Sequence, residues 1–217
     1  MSNTDKALLK IKWQGTIVSI QPRTTVWRYR IDNRTHGHIG YNIFIDGEAD
    51  GVKTRFAVAI SEKQQQTVGF RIGDEAKGTA WTKKYPEWEY ADYYRAGALK
   101  RVKPNDEPAD ESTAPPWLGA PPDMETYAWR GCRVLSKSCW KGKCFQCKWA
   151  TMANVTIEYD WGVKQKYRFE SFCYGPKSCK LYKMGKSPMV PYKGDGSCPD
   201  EHGGFDEICT ENRGWDD

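Results

Sequence analysis

No stretch of this 217-residue chain approaches the ~20 consecutive apolar residues that a membrane-spanning helix needs. Only 39% of the residues are hydrophobic and mean hydropathy is -0.78, so one large apolar core is not expected. The opening residues, Met-Ser-Asn-Thr-Asp, hold no basic segment leading into an apolar run, which predicts a cytoplasmic chain with no membrane partner. There is no GxSxG, GxGxxG, HExxH or phosphate-binding P-loop motif, and only three histidines, His36, His38 and His202, each in a loop-like segment. No catalytic constellation emerges, and binding is expected rather than catalysis.

What is abundant is aromatic and cationic. Trp 10 and Tyr 12 suffice for small aromatic-rich cores, and the length lies between that of one domain and two. Charge is partitioned along the chain. Residues 1–103 carry a net +7, residues 104–123 a net -5, residues 124–193 a net +10 and residues 194–217 a net -7. Segment 104–123 is proline-rich with no basic residue, the composition of a solvated extended linker. The predicted organisation is a barrel over 1–103, the linker, a cysteine-rich module over 124–193, and an acidic, glycine-rich tail over 194–217, mobile at its end.

Within 1–103 the hydrophobic period is two. Residues 13–31 read as a long strand bent around Pro22, with Trp27, Tyr29 and Ile31 on one face and Arg28 and Arg30 on the other. Residues 40–46 and 55–60 read as two further strands. Ser61-Glu-Lys-Gln64 is a capping box that should start a short helix, and Gly73-Asp74 ends that connection. A strand through Lys77, Thr79 and Trp81 and another over 99–102 complete the series. The fold class expected is mainly β. Three strands, a helix, then two strands, with the Gly73-Asp74 entry to the fourth, resembles the OB-fold, a five-stranded barrel. The resemblance implies a nucleic-acid-binding surface.

The eight cysteines of a cytoplasmic chain are expected to be metal ligands, since thiols there stay reduced. Cys144-Phe-Gln-Cys147 can offer two thiolates from one turn, and a β-hairpin over 153–172 returns Cys173 and Cys179 to complete a tetrahedron. The five residues between Cys173 and Cys179 need the wider turn that Gly175-Pro176 can make. A small zinc-ribbon-like hairpin module is therefore predicted, with zinc as the ion. The alternative is an iron–sulfur cluster, [2Fe-2S] or [4Fe-4S], because Cys139, Cys144 and Cys147 have the C-x4-C-x2-C spacing of plant-type ferredoxins. Phe145 and Lys143 weigh against it, standing where small residues let backbone amides close on the cluster sulfurs. Cys132 is left unassigned; Cys198-x3-His202-x6-Cys209 could supply a further metal site, but with only three candidate ligands the favoured reading is two spare thiols and an exposed histidine in the tail. His36-Gly-His38 could bind metal or phosphate, but the favoured reading is a solvated loop.

Cations and rings interleave in the first half. Arg23, Arg28, Arg30, Arg34, Lys83, Lys84 and Arg95 are candidate phosphate contacts, and Tyr85, Trp88, Tyr93 and Tyr94, placed in the connection after the fourth strand, are candidate stacking rings. The expected partner is single-stranded DNA or RNA; a redox or sensor role, or docking of another protein on the aromatic connection, are the alternatives. Segment 167–179, Tyr-Arg-Phe-Glu-Ser-Phe-Cys-Tyr-Gly-Pro-Lys-Ser-Cys, resembles a domain of uncharacterised bacterial proteins, and that resemblance implies no activity.

Overall fold

The computed structural model describes residues 8–28, 35–106, 115–159, 163–186, 189–192, 196–199 and 209–214. They are mainly β. Strand β1 (Lys10–Arg28) pairs antiparallel with β2 (Thr35–Ala49), and β2 with β3 (Val52–Ile60). After helix α1 (Glu62–Val68), β4 (Glu75–Thr82) returns to the N-terminal half of β1. β5 (Tyr93–Lys103) lies between β4 and β3, closing a ring of five strands.

Local chemistry explains these elements. Alternating apolar residues put Ile43, Ile45, Phe56, Val58 and Ile60 into one buried cluster with Ile11, Trp13 and Ile17. β1 departs from regular pairing between Pro22 and Thr24, where the missing proline N–H interrupts the ladder. The capping box forms: the Ser61 hydroxyl accepts from the Gln64 amide, and the Gln64 side chain accepts from the Ser61 amide at 2.8 Å. Gly69, at φ 66, ends the helix in the left-handed region.

The second half is not a freestanding ribbon. Helix α2 (Met124–Arg130), β6 (Arg133–Val134) and α3 (Lys137–Lys141) lead into a hairpin of β7 (Ala150–Tyr159) and β8 (Lys164–Cys173). β7 pairs in parallel with the C-terminal half of β1, from Thr25 opposite Asn154 to Arg28 opposite Ile157, so ring and hairpin form one eight-stranded sheet. A separate two-stranded pair, β9 (Met189–Tyr192) and β10 (Gly196–Pro199), follows. Hairpin and ring also share a core: Val155, Ile157 and Phe172 join the ring's buried cluster. Part of the expected linker packs as well. The Tyr41 hydroxyl donates to Pro122 O at 2.7 Å, and Trp117 O accepts from the Lys148 amide.

Double pairing of β1 reverses the expected parity of its C-terminal half. Arg28 is fully buried along with Thr24 and Val26, whereas Trp27 is half-buried. The Arg28 guanidinium meets the Glu170 carboxylate of β8 through Nε at 3.2 Å and Nη2 at 2.6 Å, and lies over the Phe172 ring. Burial alone would raise the Glu170 pKa, but Arg28 and Arg168 hold it below the ordinary carboxylate range. Tyr29, Arg30 and Ile31 lie outside the described residues.

Removing one partner of this pair leaves a buried charge alone. Glu170→Ala is therefore expected to destabilise the protein by about 3–5 kcal/mol, and the Arg28→Met/Glu170→Leu double variant to recover most of that loss. Urea unfolding of the three proteins checks it; equal midpoints for wild type and Glu170→Ala would contradict the pairing.

Candidate metal centres

The outer side of the ring's β2–β3 wall is covered by the cysteine-rich segment. Phe44, Ala57 and Ala59 cluster with Leu135, Trp140, Cys144, Cys147, Ala150, Met152 and Cys173. Polar side chains of β1 hold that segment in place. Ser19 Oγ and Gln21 Nε2 both donate to Phe145 O, Trp140 Nε1 donates to Gln21 Oε1 at 3.0 Å, and Thr151 Oγ1 donates to Pro22 O at 2.6 Å. Such a network compensates the burial of Ser19 and Gln21, both fully enclosed.

Of the five cysteines expected as ligands, Cys144, Cys147 and Cys173 are buried in this cluster and Cys139 packs against it, but no three of the five bring their sulfurs within 4.8 Å of one another. Cys139 Sγ and Cys144 Sγ are 3.5 Å apart, and Cys139 Sγ lies 2.9 Å from Leu181 O. Cys144 is within electrostatic reach of Cys139, Cys147 and Cys173, and Cys147 of Cys173 and Cys179. Burial pushes the Cys147 thiol up to about 12, opposed by hydrogen bonds from the backbone at Trp149 and Trp117. Cys173 Sγ accepts from the Gly175 amide at 3.4 Å. Both sulfurs thus take a hydrogen bond from the residue two positions on. The amides of Cys144, Phe145 and Cys147 instead donate to the carbonyls of Cys139, Gly142 and Cys144.

Among the described residues, the group of three whose ligand atoms all lie within 4.8 Å of one another is a different one: His36, Cys132 and Cys209, which could hold a metal ion. Cys132 Sγ is 3.8 Å from His36 Nδ1 and 3.6 Å from Nε2. Spacing along the sequence gave no signal for this trio, whose members come from three distant segments. His36 and His38 are not in a solvated loop; both lie in β2, His36 edge-on to Phe172 and His38 stacked on Tyr127. Burial pushes the His38 pKa down to about 4. Cys209 is not a spare thiol at a loose end. Its segment is docked, with Thr210 and Arg213 buried, while Cys198 has no described side chain and His202 lies outside the described residues.

The docking is close. A Cβ on Gly131 would sit 1.5 Å from Cys209 O, and Gly131 has φ 62. Arg213 Nη1 donates to Gly175 O at 2.6 Å and Tyr174 O at 3.2 Å. Arg130 donates to Tyr174 O, and Arg133 to Pro176 O. Three guanidiniums therefore cover the carbonyls of the turn joining Cys173 to Cys179.

The expected nucleic-acid residues are scattered. Arg28 is enclosed; Arg23 is ion-paired with Glu89; Arg30 and Arg34 lie outside the described residues. Lys83 reaches Glu89 O and Asp92. Tyr93, Tyr94 and Arg95 belong to β5 rather than to a loop; Tyr93 packs edge-on to Phe56 and Arg95 lies over the Tyr94 ring. Tyr85 and Trp88 are 4.2 Å apart, Lys84 lies over Tyr85, and Trp88 is 41% exposed. Sequence reading missed Tyr167 of β8, whose ring is 5.3 Å from that of Trp88. It also missed an open groove of about 1070 Å³ between the ring and the cysteine-rich segment, lined by Phe44, Arg55, Lys83, Tyr90, Lys141 and Phe145 among others.

Gly131→Ala is expected to push the C-terminal turn off its seat, because the added carbon has no room and the backbone conformation disfavours it. Faster tryptic cleavage after Arg213, with an unchanged far-ultraviolet spectrum, is the outcome to look for; wild-type cleavage rates would contradict the docking. Among the described residues, no helix is long and apolar enough to cross a membrane. No protein-family model, curated protein or solved structure matches the chain.

Proposed function

We propose that this chain is an OB-like β-barrel protein that binds single-stranded nucleic acid, with metal-bound cysteines holding its second half in shape. The barrel reading is supported by the order of the closed ring, β1-β2-β3-β5-β4 and back to β1, with a capped helix between β3 and β4. The outer wall of β2–β3 is in part covered by the cysteine-rich segment, and the ligand surface is assigned elsewhere. The observation that carries it is the row of rings Tyr85, Trp88 and Tyr167, spaced 4.2 and 5.3 Å, which unites the β4–β5 connection with β8. Flat, partly exposed rings beside Lys84 can stack on unpaired bases while cations contact phosphates.

For the cysteines at 139, 144, 147, 173 and 179, the zinc reading is favoured over a [2Fe-2S] or [4Fe-4S] cluster. Amides that would have to face cluster sulfurs are bonded to carbonyl oxygens, whereas Cys147 and Cys173 each accept a backbone hydrogen bond from two residues on.

Base–aromatic stacking contributes about 1–3 kcal/mol per base, so Trp88→Ala is expected to weaken binding of a single-stranded oligonucleotide about 5- to 150-fold. Lys84→Glu is expected to lower the salt dependence of the same affinity. Fluorescence anisotropy across a salt series reads both. Absence of binding by the wild-type protein at low salt would overturn the proposal.

A further inference from the structure

The trio of His36, Cys132 and Cys209 is joined by nothing in the sequence, yet three separate elements deliver it. β2 supplies the imidazole, the turn after α2 supplies Cys132, and the C-terminal turn supplies Cys209. Zinc bound at about 2.3 Å from sulfur and 2.0 Å from nitrogen, in tetrahedral geometry, separates the two ligand atoms by about 3.5 Å. One ring nitrogen serves as the ligand, and the shorter separation, 3.6 Å from Cys132 Sγ to His36 Nε2, is close to that span. Two thiols and an imidazole form a borderline-soft donor set that suits zinc.

A nucleophilic role for the Cys132–His36 pair is disfavoured by burial, since Cys132 is 1% exposed and no substrate could reach its sulfur. A role in holding chain segments together fits the surroundings. Cys209 opens the turn in which Arg213 bonds the carbonyls of Tyr174 and Gly175, and Lys177 Nζ donates back to Arg213 O at 3.2 Å.

We propose that His36, Cys132 and Cys209 bind one zinc ion, and that this ion staples the C-terminal turn to β2 and to the turn after α2. Binding displaces the two thiol protons to solvent and leaves both sulfurs as thiolates on the ion. The staple keeps Arg213 on the Cys173–Cys179 turn, so the ion supports the neighbouring cysteine cluster through the chain rather than by contact. The proposal stands apart from nucleic-acid binding, because its readout needs no nucleic acid.

The test is the zinc content of the full chain, purified under reducing conditions and measured by native and elemental mass spectrometry. His36→Ala and Cys209→Ser are each expected to lose one zinc equivalent relative to wild type and to speed tryptic cleavage after Arg213. His36→Cys, which restores a donor, is expected to keep the equivalent, so a folding defect in His36→Ala does not decide the outcome. Unchanged zinc content in both His36→Ala and Cys209→Ser would overturn the proposal. So would a zinc-free wild-type protein, or one whose Cys132 and Cys209 prove to be joined in a disulfide.

Discussion

Everything in this molecule depends on β1 being paired along both of its edges. Its N-terminal half lies between β2 and β4 and closes the ring; its C-terminal half lies between β2 and β7 and carries the hairpin. A strand that changes neighbours along its length must bend, and two breaks in regular pairing, between Ile17 and Ser19 and between Pro22 and Thr24, fall between the two halves. The change of partner merges what composition separates into two basic modules. It also places the face that carries Thr24, Val26 and Arg28 against protein, so Arg28 is buried against Glu170 rather than facing solvent.

The cysteine-rich segment depends on the ring for more than a sheet edge. Its buried residues complete a cluster whose other members are Phe44, Ala57 and Ala59 on the outer wall of the ring and Ala91 before β5. Ser19 and Gln21 then satisfy backbone and indole groups of that segment from inside the strand. Polar bonds of this kind fix register and orientation where apolar contact alone would tolerate sliding. The arginines at 130, 133 and 213 do the same for the turn between Cys173 and Cys179, each donating to its backbone carbonyls.

Local signals in the sequence foretell local structure. The alternation at 40–46 and 55–60, the capping box at Ser61 and the hairpin around 153–172 all reappear, because each is decided by residues close in the chain. The strands are longer than the pattern shows: β2 starts at Thr35 and β5 at Tyr93, where pairing partners extend strands past their apolar cores. What could not be read is long-range. Parallel pairing of β7 with β1 leaves no mark on either segment, and so the burial of Arg28, the meeting of Tyr167 with Trp88 and the gathering of His36, Cys132 and Cys209 were all invisible. Spacing rules recognise ligands that share a turn, and this trio shares none.

Hydrogen exchange along a denaturant series tests the shared-strand account most directly. The amides of β7 and β8 are compared with those of β1 and β3 as urea rises toward the unfolding midpoint. If β1 serves ring and hairpin together, both sets should open in one cooperative transition with the same dependence on denaturant. A hairpin that opens at markedly lower urea, while the ring amides stay protected, would contradict the account and restore two independent modules.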